Sequence, residues 1–254
     1  MDISDVFSKN SRIPLIGNFE LTRKCPLNCI ICYNEHKQKN ELTTSEVLSL
    51  LEQIADAGCI HINFTGGDPL TRPDFSDIYQ YAIQLRMFPS IESELVHLSD
   101  KERILLSEYP PHILSVSLYA ADEEVFQTVT RSNHSARLVL SNVKELVAAG
   151  VPVRARTPLT QLNIGQAGKI ARFCREIGIV YNPTTKIFWT QGGMRFDELR
   201  CSPECVLENS DGDPIYEYLY TLTKKLWDKP IVKKHAIRVL LILIYQRMGS
   251  LTFA

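Results

Sequence analysis

The chain has 254 residues, 44% hydrophobic and 22% charged, with a formal net charge of −1 at pH 7. That length holds one large α/β domain or two small ones, and the balanced charge excludes a global basic field for nucleic acid or an anionic membrane. The acidic opening Met1-Asp2-Ile3-Ser4-Asp5 lacks the apolar core of a signal peptide, and the longest apolar run, Val239 to Tyr245, is far short of the ~20 residues of a membrane helix, so the expected setting is the cytoplasm.

Residues 1–15 read as a lead-in. Ile16 to Thr22 is the first predicted strand, with Ile16, Phe19 and Leu21 apolar and Asn18, Glu20 and Thr22 polar. Directly after it comes Cys25-Pro26-Leu27-Asn28-Cys29-Ile30-Ile31-Cys32-Tyr33. A short loop can fold these three thiolates onto one small object. Thiolates are soft ligands that suit iron–sulfur clusters, zinc or copper(I). An ordinary tetra-iron cluster uses four cysteines, so three leave one metal position open, where chemistry happens. The other four cysteines, at 59, 174, 201 and 205, are scattered; the odd total of seven argues against a secreted disulfide framework.

His36 to Asn40 is a polar linker. Thr43-Thr44-Ser45-Glu46 reads as a capping box opening a helix. Val47, Leu50, Leu51 and Ile54 stripe that helix, and Gly58 ends it. Ile60 to Thr65 is a strand broken by Gly66-Gly67-Asp68-Pro69, and Asp74 to Leu85 is a helix. A weaker strand is expected near Ile91 to Val96, then a short helix from Ser99 to about Ser107. Ile113 to Tyr119 is a strand, Asp122 to Val129 and Ala136 to Ala149 are helices, and Val151 to Thr157 is a strand. Gly165 to Ile177 is helical, Gly178 to Tyr181 begins a sixth strand, and helices follow from about Pro203 and from Pro214 to Trp227.

Repeated strand–helix units imply a parallel sheet with right-handed crossovers. Buried parallel strands are usually apolar on both faces, but three of these alternate. Ile60, Ile62 and Phe64 oppose His61, Asn63 and Thr65. Leu114, Val116 and Leu118 oppose Ser115, Ser117 and Tyr119. Val151, Val153 and Ala155 oppose Pro152, Arg154 and Arg156. Helices are expected over the apolar face. The polar face must then line a wet or ligand-filled interior, because unpaired buried polar groups cost roughly 1–3 kcal/mol each. The pattern predicts a curled or partial barrel, unlike a TIM barrel with its apolar filling.

The cysteine spacing with Tyr33, joined to Thr65-Gly66-Gly67-Asp68-Pro69 at the end of the next strand, resembles the radical S-adenosylmethionine (SAM) superfamily with its CxxxCxxC and GGEP motifs. The resemblance implies an α/β fold, a partial (β/α)6 barrel over 16–200 with a helical C-terminal extension over 201–254. It implies a [4Fe–4S] cluster on Cys25, Cys29 and Cys32, whose open iron takes the amino and carboxylate groups of SAM's methionine. One electron, from a donor such as a flavodoxin or ferredoxin, then cleaves the C–S bond to give a 5′-deoxyadenosyl radical that abstracts hydrogen, in chemistry that oxygen destroys. It places Gly66 and Gly67 at the methionine amino group, with Asp68 and Pro69 shaping the turn and Asp68 standing where Glu is usual. It puts Ser117 near SAM's carboxylate or ribose and Tyr33 on the adenine side. An arginine fork suits a carboxylate, which makes Arg156 the first choice for the methionine carboxylate and Arg154 the second.

Blander readings stand beside these: a zinc knuckle or unrelated core thiols, a plain strand-to-helix turn, loop packing for Tyr33, and an ion pair between an inward arginine and Glu20. His61 reads as a structural residue. One departure is plain: many relatives carry Thr-Asn-Gly at the end of the third strand, and this chain has Ser93-Glu94-Leu95.

Ser115 to Glu124, then Arg131, Gly150-Val151-Pro152-Val153 and Thr157 to Asn163 resemble the SPASM-type peptide maturases, over about residues 13–210. These include the pyrroloquinoline quinone and mycofactocin maturases. That implies a ribosomal peptide or protein as substrate. Such enzymes carry further cysteines for auxiliary clusters. Here only Cys201 and Cys205 stand in range, and they flank Ser202-Pro203-Glu204, which reads as the start of a helix. The chain ends about where a cysteine-rich extension would begin, as a divergent or truncated ending would. A small-molecule substrate and a remnant that binds without turnover are the other expectations.

Overall fold

The computed structural model describes residues 14–34, 41–188 and 196–227. The linker read at His36 to Asn40 and the tail from Lys233 lie outside the described residues. Six parallel strands form one sheet in sequential order: β1 (Ile16–Thr22), β2 (His61–Gly66), β3 (Phe88–Ser93), β4 (Leu114–Ser117), β5 (Val153–Pro158) and β6 (Val180–Thr184). Among the described residues β1 pairs only with β2 and β6 only with β5, so the sheet does not close. The structure is thus the expected partial barrel.

Helices α1 (Thr44–Asp56), α2 (Phe75–Gln84), α3 (Asp100–Glu108), α4 (Glu123–Thr130), α5 (Ala136–Ala148) and α6 (Ala167–Glu176) lie in the crossovers. Both halves of the capping box at Thr43 and Glu46 are formed, and Val47, Leu51 and Ile54 are buried. Gly58 then turns the chain at φ 94°, a left-handed angle that costs glycine nothing. The core lies between these helices and the outer face of the sheet, where Ile62, Phe64, Ile91, Leu114, Val116 and Ala155 are all fully buried. Each of these side chains except the small Ala155 contributes roughly 1.5–3 kcal/mol.

The inner face carries the other half of the alternation. Asn18 and Asn63 share a register position and hydrogen-bond at 2.9 Å. His61 bonds Ser90 at 2.8 Å, and Arg154 donates to Ser115 Oγ at 2.8 Å. The polar interior is therefore largely paired low in the barrel. At the very start of the strands the inner face turns apolar and exposed, at Ile16, Phe88 and Val180.

Two expectations shift. The third strand is Phe88–Ser93, not Ile91 to Val96, because Phe88 pairs with His61 and Leu95 takes a left-handed φ of 52° that ends the strand. Ile60 is 52% exposed rather than buried, because it precedes β2, where no helix covers it.

A second, smaller core joins Leu159 and Ile164 to α7 (Pro203–Glu208) and α8 (Ile215–Trp227) through Val206, Tyr216 and Leu219. Ser202 caps α7 by accepting from Cys205 N at 3.1 Å. Cys201 is buried in this core, and Cys205 packs against it half-buried.

Candidate functional site

The cysteine loop leaves β1 and is pinned by main chain on two sides. On one side Asn28 N donates to Thr130 O and Ile30 N to Val129 O, both at 2.9 Å, at the end of α4. On the other side the loop's entry touches the glycine turn. Gly67 N donates to Thr22 O and Asp68 N to Lys24 O, each at 2.8 Å. The approach is so close that a Cβ on Gly66 would lie 2.2 Å from Thr22 O, and one on Gly67 2.1 Å from Lys24 O. These two glycines are required by the end of β1 and the chain leaving it, whatever else binds there.

Behind the turn sits a polar brace. Asp68 is fully buried and accepts from Leu70 N, from Ser93 Oγ and from Glu94 N at 3.0 to 3.2 Å. It ties the end of β2 to the end of β3. Arg72 does the same for β1: it donates to Leu21 O, to Leu42 O and through two nitrogens to the Asp74 carboxylate.

In front of the turn a single cavity opens at the C-terminal ends of the strands. Its walls include Cys25, Cys29, Cys32, Tyr33 and Asn34 from the loop, and Gly66 and Gly67 from the turn. Glu92, Glu94, Ser117, Tyr119, Arg156 and Lys186 close it. Burial pushes the Cys25 thiol far up, and the nearby Glu94 carboxyl adds to the shift. Burial likewise raises Cys29, although a hydrogen bond from Tyr119 opposes it. Without a metal these thiols stay neutral at ordinary pH. Glu94 is raised well above the usual glutamate value by burial and then by the Asp68 carboxyl beside it.

The expected site residues divide. Cys25, Cys29, Cys32, Tyr33, Gly66, Gly67, Ser117 and Arg156 all line the cavity. Asp68 and Pro69 lie behind it, buried, as turn-shaping residues do. Arg154 lies lower, bonded to Ser115. Arg156 is 49% exposed and pairs with Glu92 at 2.8 Å, so its carboxylate neighbour is Glu92 rather than Glu20. Glu92 and Asn34 were not anticipated. Glu92 follows from extending the β3 alternation inward from Ser90; nothing in the pattern marks Asn34.

An open six-stranded parallel half-barrel, with three cysteines and a glycine turn meeting at its mouth, defines a class. Residues 19–174 match the family model described as the Radical SAM superfamily, and the chain belongs to that superfamily. Among curated relatives, it is 28% identical over 163 residues to the PqqA peptide cyclase of Streptomyces rochei, covering 63% of this chain and 44% of that one. Among solved structures it resembles SuiB of Streptococcus suis, with a TM-score of 0.67 at 15% identity, over 95% of this chain and 54% of that one. It also resembles anSMEcpe with bound AdoMet and the Cp18Cys peptide, with a TM-score of 0.57 at 12% identity, over 76% of this chain and 56% of that one. The chain thus spans under half the length of the curated relative and about half that of the solved ones.

The family implies an iron–sulfur cluster and SAM, and the donor set suits both. Three soft thiols face one cavity, and no fourth cysteine lines it. A metal would draw off the protons that burial holds on them. No described helix is long and apolar enough to cross a membrane.

Proposed function

We propose that the chain is the catalytic core of a peptide-modifying radical SAM enzyme. The observation that supports this best is that Cys25, Cys29, Cys32 and the Gly66–Gly67 turn open into one cavity. In this reading the three cysteines hold a [4Fe–4S] cluster through thiolates. When bound, the cluster supplies one electron that cleaves SAM into methionine and a 5′-deoxyadenosyl radical, which takes hydrogen from the substrate.

The chain's own residues bind, orient and shield. Main-chain carbonyls at Gly66 and Gly67 receive the methionine ammonium, within reach because neither residue carries a side chain. Arg156 meets the carboxylate by exchanging part of its bond to Glu92; being half exposed, it gives up that pair at little cost. The Ser117 hydroxyl donates to the carboxylate or ribose, and Tyr33 covers the adenine side. A ribosomally made peptide is the substrate class, supported by the relative named for peptide cyclisation. A flavodoxin or ferredoxin supplies the electron.

The test is anaerobic reconstitution with iron and sulfide, reduction by dithionite, addition of SAM and assay of 5′-deoxyadenosine. The wild type should bind about four irons per chain and form the product. A variant with Cys25, Cys29 and Cys32 all changed to alanine should do neither while keeping its circular dichroism. Iron binding without product would instead mark a core that binds but does not turn over, and zinc on the same thiols would sink the reading.

A further inference from the structure

Four buried side-chain amides can be compared among the described residues, and three are bonded through both their nitrogen and their oxygen. Asn142 Nδ2 donates to Leu95 O and its Oδ1 accepts from Arg103, both at 2.7 Å. Asn163 donates to Tyr119 O and Pro158 O and accepts from Thr160 N and Oγ1. Gln166 accepts from Ala121 N and Asp122 N and donates to Asp122 Oδ2. The fourth, Asn34, is 3% exposed, and neither its Nδ2 nor its Oδ1 has a partner. It lines the cavity, two residues after Cys32.

A buried amide with no partner is a standing cost that an apolar residue of the same size would not carry. Its retention makes sense when a ligand completes it. The ligand must present a hydrogen-bond donor beside an acceptor, because the amide offers one of each. A carboxylate, a phosphate or a sulfonium fills at most half of that demand. The amine of adenine, flanked by ring nitrogens, fills both. A peptide bond also offers both, but a peptide laid across the mouth would meet half-exposed groups such as Arg156 first. Asn34 is sealed from solvent, so its partner belongs to the ligand held deepest.

We infer that the side-chain amide of Asn34 reads the amine edge of the purine of the bound nucleoside and so sets the cavity's preference for adenosine. This rests on the proposed function, since it takes an adenosyl ligand to be the occupant.

The experiment uses the full chain reconstituted with iron. Dissociation constants are measured by calorimetry for S-adenosylhomocysteine and for its analogue lacking the 6-amino group, in wild type and Asn34→Leu. Melting of the ligand-free proteins is measured in parallel. The wild type should bind the adenosyl compound about tenfold more tightly than the deaminated one, the worth of one well-made hydrogen bond. Asn34→Leu should lose about tenfold affinity for the adenosyl compound and show no preference between the two. With equal iron content, its ligand-free melting temperature should be unchanged or higher, because the substitution removes no bond. A variant that keeps both affinity and preference overturns the inference, and so does one that melts lower, which would make Asn34 structural. If the variant binds both nucleosides like wild type but loses affinity for a peptide substrate, the inference is likewise overturned. In all three of those results the wild type still binds the adenosyl ligand and the proposed function survives. Failure of the wild type to bind either compound overturns both.

Discussion

The two sides of the glycine turn are built on opposite rules. Behind it, every polar group on Asp68 and Arg72 is engaged, with main chain from β1, β3 and the approach to α1. In front of it, burial pushes the Cys25 and Cys29 thiols up, Asn34 is unpartnered, and burial and the Asp68 carboxyl raise Glu94. The contrast teaches how to separate frame from site. A satisfied buried group holds the fold, whereas an unsatisfied one lining a cavity costs stability that a ligand can return. Changes behind the turn should therefore reduce stability, and changes in front should spare or raise it.

The largest effect falls on the frame. Arg72→Met leaves the Asp74 carboxylate with the Thr44 hydroxyl but no cation and removes the donor to two carbonyls, and Arg72 and Asp74 are only 7% and 15% exposed. The expected loss is about 3 kcal/mol, or a melting temperature lower by roughly 10 °C. A loss below about 1 kcal/mol in urea unfolding would break the comparison.

A smaller and opposite effect is expected at Glu94→Gln. A carboxyl whose folded value is raised binds more protons folded than unfolded, so the ligand-free protein loses stability as pH rises above the ordinary glutamate value and through the folded one. Glutamine stays neutral and can donate to Asp68. The variant should match wild type at acid pH and be the more stable at pH 8, with a flatter profile between. Parallel stability profiles for the two proteins would show that Glu94 carries no such shift. The smallest effect belongs to neither side. Lys169→Ala breaks an exposed pair with Asp122 and should change stability by no more than about 0.5 kcal/mol.

Much of this was readable before the fold. The strand at Ile16–Thr22, the capping box at Thr43 and the start of α7 at Ser202 follow from local chemistry that three dimensions leave alone. The alternation in β2, β4 and β5 gave the two faces and hence the half-barrel. The true start of β3 is hard to see in the sequence, because Pro89 near it looks like a strand breaker. It is tolerated there because Phe88 N still reaches Ile60 O and Pro89 O still accepts from His112 N, both at 2.8 Å. Glu92 as the partner of Arg156 needed the register of β3, β4 and β5, which sequence does not state. Asn34 needed more: an unpartnered amide is recognisable only when everything around it has been placed.

The main-chain seam between Thr22–Lys24 and Gly66–Asp68 has a consequence for anyone building chimaeras of such barrels. Because carbonyls and amides set the spacing, the reach from thiols to turn is held by main chain and by the two bare glycines, not by side-chain packing. The stretch from the end of β1 through Cys32 and the turn after β2 behave as one cassette. A hybrid that takes the cysteines from one parent and the glycines from another should fail unless both parents place that seam in the same register.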